Sequence, residues 1–450
     1  MPTIIVIWIA KLAGWLSTAF GRGEGGALPG LIAEKLQPDI LSKLGSKLSK
    51  GSVLITGTNG KTTATRMVVA ALGQSQGRVL SNRAGSNLTR GLISHLVAGC
   101  SLSGRMNYDF GVFEVDEAAF PEAFKALKPQ AAMVLNLFRD QLDRYGELNT
   151  LAAKLRQALE GTPANIILNG DDPLVAWLGR GLKNASYFGI ESAPVKKLPH
   201  DFAADSSVCP VCASPLRYES IYYSHIGSYD CPTGDFHQPK LNVVGKATLL
   251  TTKSSVMEIH SGQKRAELEL QLPGLYNLYN ALGSIQLAMS LGVGLESAVE
   301  SVVKMPAAFG RAEVVTVDDK QVELYLVKNP TGFNQIIQTY LLDPKSQPLL
   351  IIINDLIADG RDVSWLWDVA FEDVGSTGQL SASGLRAYDL ALRLKYAGLK
   401  SEPLLDIDAA IERFIDQIPL GGSGIILPTY TAMLATRRSL GRSTPIARMN

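Results

Sequence analysis

From Ser52 onward, short apolar runs alternate with stretches of helical spacing. The runs are VLIT (53–56), RVL (78–80), YDFGVFEV (108–115), AAMVLN (131–136) and NIILNGDD (165–172). That alternation predicts parallel strands covered by crossover helices. A long helix is predicted to start near Asn277, in LYNLYNALGSIQLAMSLGV. After the Pro- and Gly-interrupted linker MPAAFGRAEVV (305–315), the runs VELYLV, PLLIIIND and GIILPTY predict a second α/β unit. Upstream, Ile5, Trp8, Ile9, Leu12, Trp15, Leu16 and Phe20 recur at helical spacing around Lys11. This predicts an amphipathic helix, either packed on the body of the protein or resting on a membrane surface, and neither a signal peptide nor a transmembrane segment. The expected division is a helical segment over 1–50, a nucleotide-binding α/β domain over 51–305 with an insertion at 200–240, and a C-terminal α/β domain over 306–450.

Composition narrows the function classes. A chain of 450 residues is too long for one ordinary core. A formal net charge of +1 leaves no surplus of Lys and Arg to neutralise a nucleic-acid backbone. Of the four cysteines, Cys209, Cys212 and Cys231 are close together and Cys100 stands apart, which fits a reducing compartment such as the cytoplasm and a metal site better than a disulfide framework.

The stretch Gly57-Thr58-Asn59-Gly60-Lys61-Thr62-Thr63 follows the first apolar run and precedes a helical pattern. A loop so placed turns backbone N–H groups toward an anion at a helix N-terminus. Gly57 and Gly60 permit close backbone approach, Lys61 is predicted to reach the outer phosphates of ATP, and the Thr62 hydroxyl to ligate Mg²⁺. The spacing is tighter than GxxxxGK[ST], since Ile55 occupies the position of the first glycine.

GTNGKTT resembles the phosphate loop of the Mur ligase superfamily, ATP-dependent enzymes that join an amine to a carboxylate. Further segments are similar to that family in order: NLFRDQLDRYGE (136–147), LNGDDP (168–173), YNLYNAL (276–282) and FGRAE (309–313). The resemblance implies that Glu114 holds Mg²⁺, that Asn277 meets the adenine, and that Arg311 reaches the nucleotide from a hinge. Read without it, Glu114 is an ordinary strand-end carboxylate. The implied fold is a Mur ligase central ATPase domain with a small ribbon-like insertion, followed by a Rossmann-like C-terminal domain.

Within the superfamily, the 56 residues before the loop are too few for the nucleotide-sugar domain of the amino-acid-adding members, which spans about a hundred. Gln141 stands where those members carry a metal-binding His, and Lys154 is out of register with the lysine they carbamylate, reading as an exposed helix residue. These departures, with ALPGLIAEKL (27–36), ADGRDVSWLWDVAFE (358–372) and PTYTAML (428–434), resemble the MurT family, the ligase-like subunits of lipid II isoglutaminyl synthases. The family implies ATP-dependent amidation of the D-glutamate α-carboxylate of lipid II, with ammonia from the glutaminase subunit GatD. It also implies that Asp362 completes the partner's Cys-His pair, ahead of its neighbours Asp355, Asp359 and Asp368; a turn-capping role is the plainer alternative. A folylpolyglutamate synthase-like ligase and a non-catalytic ATP-binding scaffold remain the competing readings. Lys328 and Asn329 are further candidates for the nucleotide, against a turn role for Asn329-Pro330.

Cys209-Pro-Val-Cys212 and Cys231-Pro-Thr-Gly234 outline a four-cysteine zinc ribbon lacking its last ligand. Either Asp235 or His237 supplies it, water does, or Zn²⁺ is lost and the insertion is a relic held by its tyrosines. In each case the insertion is expected to be structural and remote from the phosphates.

Overall fold

Ser52–Thr56, a strand buried along its whole length, lies inside a nine-stranded sheet. It pairs in parallel with Phe110–Glu114 on one side and Ala131–Val134 on the other. Val79–Ser81 closes one edge, while Asn165–Asn169, Ala185–Ser192 and Val243–Leu250 extend the parallel run on the other side. Two further strands, Ser255–Ser261 and Lys264–Leu270, add on antiparallel. The computed structural model describes all residues except 20–26, 76, 83–85, 140–147, 196–204, 306–310, 343–346, 376–377 and 444–450, together with the side chains of Ser75, Arg311, Ala312, Arg442 and Ser443.

Each predicted apolar run is a strand. The sequence reading assigns no strand to 243–270, although Val243–Leu250 and Ser255–Ser261 bury alternate residues as half-buried strands do. Helix Leu275–Ser290 is buried nearly all round and lies in the core, packed between helix Lys61–Ser75 and the sheet. Close approach requires Gly283, where a Cβ would sit 2.8 Å from the Phe188 ring and 2.9 Å from Met133 Sδ.

A six-stranded sheet forms the C-terminal lobe. Its hairpin Arg311–Val317/Lys320–Tyr325 joins in parallel to Ser423–Pro428, then Leu349–Ile352, Leu380–Ser383 and Glu402–Leu404. The segment DQLDRYGE with Gln141, the linker through Gly310 and the side chain of Arg311 lie outside the described residues.

Thr3–Ala19 is a helix that buries Val6, Ile7 and Ala10 against helices Leu28–Leu36 and Thr89–Gly99. Trp8, Leu12 and Trp15 remain exposed on it. Among the described residues, no helix is long and apolar enough to cross a membrane.

Candidate active site

The loop 57–60 is held open by backbone geometry and by the end of the neighbouring strand. Gly57 has φ +134° and Gly60 φ +91°. A Cβ on Gly60 would sit 2.0 Å from Asn280 Oδ1, so only glycine fits. Asn136 clamps the loop reciprocally: its Oδ1 accepts from Asn59 N–H at 2.8 Å and its Nδ2 donates to Asn59 O at 3.0 Å. The Thr58 hydroxyl donates to Phe138 O at 3.2 Å and accepts from Phe138 N–H at 2.9 Å. These bonds fix the loop before any ligand arrives, and fixed amides need no reorganisation to receive charge. Thr63 is buried in the first turn of the following helix.

Lys61 is nearly buried. It donates to Gly57 O at 2.6 Å and Thr58 O at 3.3 Å, and pairs with Glu117 at 3.2 Å. Burial pushes the Glu117 carboxyl up, but Lys61 and then Lys328 outweigh it and hold the group below its ordinary value. Lys328 arrives from the C-terminal lobe and donates to Thr58 O at 3.1 Å. Asn329 beside it donates to Asn59 Oδ1 at 3.0 Å while its own Oδ1 caps helix Pro330–Ile336 through Gly332 N–H. The turn role and contact with the loop thus coexist in one residue.

The Thr62 hydroxyl donates to Glu114 Oε2 at 2.7 Å. Asn87 donates to the other Glu114 oxygen at 3.5 Å, and Asn82 holds the Glu114 backbone through its N–H and its carbonyl. A hydroxyl and a carboxylate adjoining the phosphate loop form the hard-oxygen donor set that suits Mg²⁺.

Between the lobes lies a cavity of about 110 Å³. Asn59, Gly60 and Lys328 stand among its polar lining, while Phe138, Tyr223, Tyr276 and Tyr325 supply aromatic surface. Asn280 also lines it. Asn277 is one turn away, buried, and donates to Pro273 O at 2.8 Å. Glu117 has no counterpart in the sequence reading; Asn136 enters it only as the end of an apolar run and the first residue of the family-like segment 136–147, and Tyr223 only as one of the tyrosines of the insertion. The acidic pair Asp116-Glu117 just after Glu114 was the visible signal for Glu117.

Asp362 is half-buried in the other lobe and caps its turn through Ser364 N–H at 2.8 Å. Its neighbours are engaged differently: Asp355 pairs with Arg386, Asp368 with Arg139, and buried Asp359 accepts from Thr431 N–H and hydroxyl. Leu356, Ile357 and Leu385 are exposed nearby, and Tyr388, Leu392 and Tyr396 share one exposed face of helix Ala387–Tyr396. Lys154 is exposed on helix Leu148–Leu159.

The sulfur atoms of Cys209, Cys212 and Cys231 lie within 4.8 Å of one another. Hydrogen bonds from Ser214 and Thr233 bring the Cys212 thiol down to about 6, whereas burial raises that of Cys209. Three convergent sulfurs fit three corners of a zinc tetrahedron. Among the described residues neither Asp235 nor His237 joins the cluster; the Thr233 hydroxyl approaches it, 3.0 Å from Cys231 Sγ and 3.4 Å from Cys212 Sγ.

Comparison with known proteins accounts for both lobes. The profile of the Mur ligase middle domain matches residues 55–209, and that of the MurT ligase C-terminal domain matches 326–433. The pseudomurein peptide ligase type C from Methanothermus fervidus shares the fold, with a TM-score of 0.70 and 21% identity over 89% of this chain and 80% of that chain. The MurT subunit of lipid II isoglutaminyl synthase (glutamine-hydrolyzing) from Staphylococcus aureus strain COL is 29% identical over 97% of both chains. Its counterpart from Streptococcus pneumoniae strain R6 is 34% identical over 93% of both. Sequence likeness running through both lobes, on a Mur ligase fold, means that the chain belongs to the MurT family of Mur-type ligases.

Proposed function

We propose that this chain is the ATP-dependent ligase subunit of a lipid II isoglutaminyl synthase. In the proposed reaction, an α-carboxylate oxygen of the stem-peptide D-glutamate attacks the γ-phosphorus of ATP and ADP departs. Ammonia then attacks the carbonyl carbon of the acyl phosphate, and inorganic phosphate leaves as the amide forms. A free carboxylate resists amine attack at neutral pH because it has no competent leaving group, which phosphorylation supplies.

The observation that carries this reading is the convergence on one loop of Lys61, Thr62 with Glu114, and Lys328 from the opposite lobe. The loop amides, Lys61 and Lys328 would hold the phosphates, with Glu117 orienting Lys61. Mg²⁺, held by Thr62 and Glu114, would neutralise charge on the transferring phosphoryl group. The cavity is smaller than the roughly 300–1,000 Å³ of most ligand pockets. Nucleotide entry would therefore exchange the Lys328 and Asn329 bonds to the loop for bonds to phosphate. Arg311 is proposed to join them from the hinge, and Asn277 to sit on the adenine side.

A separate glutaminase subunit, GatD, is proposed to deliver ammonia. Cys100 is buried beside a helix end, and burial raises its thiol above the ordinary value, the wrong direction for a nucleophile. Asp362 would orient the partner's histidine, with exposed apolar residues of the same lobe such as Ile357 and Tyr388 available to the partner. Zn²⁺ is proposed to hold the three-cysteine knuckles together as a structural ion. The exposed tryptophans of the N-terminal helix would rest on the cytoplasmic face of the membrane, where the lipid-linked substrate lies.

The test is reconstitution. Lipid II, ATP and Mg²⁺ should give an amidated product, lighter by about one mass unit as OH becomes NH₂, when ammonia is in excess or glutaminase and glutamine are present. No product under either condition would overturn the assignment.

A further inference from the structure

The cysteine-bearing insertion does not stand away from the cleft. Its strands Arg217–Tyr223 and Ile226–Asp230 form an antiparallel hairpin whose turn, with Ser224 at φ +49°, is driven into the central domain. Tyr222, Tyr223, His225 and Ile226 are all buried there. Gly227 N–H donates to Asp171 O at 3.0 Å, the His225 ring packs on Phe138 at 4.9 Å, and Gln338 of the opposite lobe donates to Tyr222 O at 3.4 Å. The tip is thereby wedged between the lobes.

Its tyrosines are not equivalent. Tyr218, Tyr222 and Tyr229 each give their hydroxyl to a backbone carbonyl, of Ser206, Ile190 and Gly170 respectively. Tyr223 instead lines the cavity. Its ring stands edge-on to Tyr279 at 5.9 Å and tilted against Phe138 at 6.2 Å, and Tyr279 is itself pinned by a hydroxyl bond to Asp171 at 2.6 Å. Asn280, next to Tyr279 in the chain and set against Gly60, also lines the cavity, and among the described residues its buried Nδ2 has no hydrogen-bond partner. A fixed aromatic wall in a cavity that also holds an unpaired amide donor suits a ligand with a planar face and polar acceptors.

We propose that Tyr223 is a nucleobase-binding residue: the hairpin tip supplies an aromatic face for the base while the phosphates lie on loop 57–60, so that the insertion forms part of the nucleotide site. This rests on the reading that the cleft takes ATP. Polar loop residues and aromatic rings line the one cavity, so once Lys328 and Asn329 release the loop, phosphates toward Gly60 and Lys328 leave the heterocycle to the tyrosines. The burial of Tyr223, aided by the nearby Asp172 and Asp171, raises its phenol and keeps it neutral, so it offers a ring without a competing charge.

The experiment is calorimetric titration of the full chain with Mg²⁺ and either AMP-PNP or inorganic tripolyphosphate, using wild type, Tyr223→Phe and Tyr223→Leu. Tyr223→Leu is expected to weaken AMP-PNP binding by about tenfold, within the range of base–aromatic stacking, and to leave tripolyphosphate within twofold. Tyr223→Phe should bind both as wild type does. Equal weakening of both ligands by Tyr223→Leu, or no weakening of AMP-PNP, overturns the proposal. Wild type that binds tripolyphosphate but not AMP-PNP overturns the ATP reading as well, and so separates the two failures. Photolabelling of unsubstituted protein with 2-azido- and 8-azido-ATP, competed by ATP, requires no variant to fold. Label on the peptide holding Tyr223 supports the assignment, and label confined to other peptides overturns it.

Discussion

Lys61 Nζ lies 3.2 Å from Glu117 Oε2, and both side chains are at most a tenth exposed. A lysine so confined is aimed rather than mobile, and a nucleotide must compete with Glu117 for it. Replacing Lys61 by Ala should lower ATP-dependent amidation by 10²-fold or more, the scale seen when one preorganised donor is removed from developing charge. Measured kcat with saturating ammonia checks this. Retention of full activity would favour a scaffold role.

The same pair predicts a pH signature. Because Lys61 and Lys328 hold Glu117 below its ordinary value of 4.5, its ionised form stabilises the fold above that pH, and the contribution is lost as pH falls through the lower native value. Glu117→Gln should therefore melt below wild type at pH 7, with the gap closing as pH drops below 4.5. A gap that stays constant over thermal melts from pH 7 to pH 3 would show that the carboxylate charge is not what matters.

Glu114→Gln keeps the size of the side chain but replaces one carboxylate oxygen by an amide donor. Asn82 holds the Glu114 backbone, so the fold should survive while the Mg²⁺ concentration for half-maximal ATP turnover rises by about tenfold or more. A Mg²⁺ titration of ADP release reads this directly. An unchanged midpoint would make Glu114 a structural strand-end group hydrogen-bonded to Thr62.

The role proposed for Asp362 separates two nitrogen sources. With GatD bound, Asp362→Asn should depress glutamine-driven amidation by several orders of magnitude, as loss of a triad's orienting carboxylate does, while ammonia-driven amidation stays near wild type. The amide can still accept from Ser364 N–H, so the turn need not unfold. Equal loss with both nitrogen sources would place the residue outside glutamine hydrolysis.

Local pattern carried the parallel strands and the loop, because a doubly buried strand and a strand–glycine–helix junction each leave a contiguous mark. What it could not carry were meetings between distant residues. Asn59 and Asn329 are 270 positions apart, and nothing in either neighbourhood specifies the other. Asn136 reads as the end of an apolar run and the start of a family-like segment, neither of which shows that it clamps the phosphate loop. Tyr223 was grouped with the tyrosines of a remote ribbon because composition identifies an insertion without indicating which way its hairpin points. Gln141 and the Arg311 side chain fall outside the described residues, so the readings attached to them stand as sequence inferences.

The three-cysteine knuckle pair gives the last prediction. Gly234 has φ +77°, and a Cβ there would meet nothing within 4 Å. A cysteine at this position has room, although a side chain in the left-handed region costs about 1–2 kcal/mol. The Thr233 hydroxyl, now bonded to both nearby sulfurs, is a far poorer zinc ligand than a thiolate. Gly234→Cys should therefore tighten Zn²⁺ binding by more than tenfold in chelator competition and raise the thermal midpoint in the metal-loaded state, despite the backbone cost to the metal-free protein. Because the hairpin connects this knuckle to Tyr223, removing zinc from either form should also weaken AMP-PNP binding. If affinity for zinc is unchanged by the added thiol, the knuckle does not close around a metal, and the tyrosine packing alone holds the insertion in place.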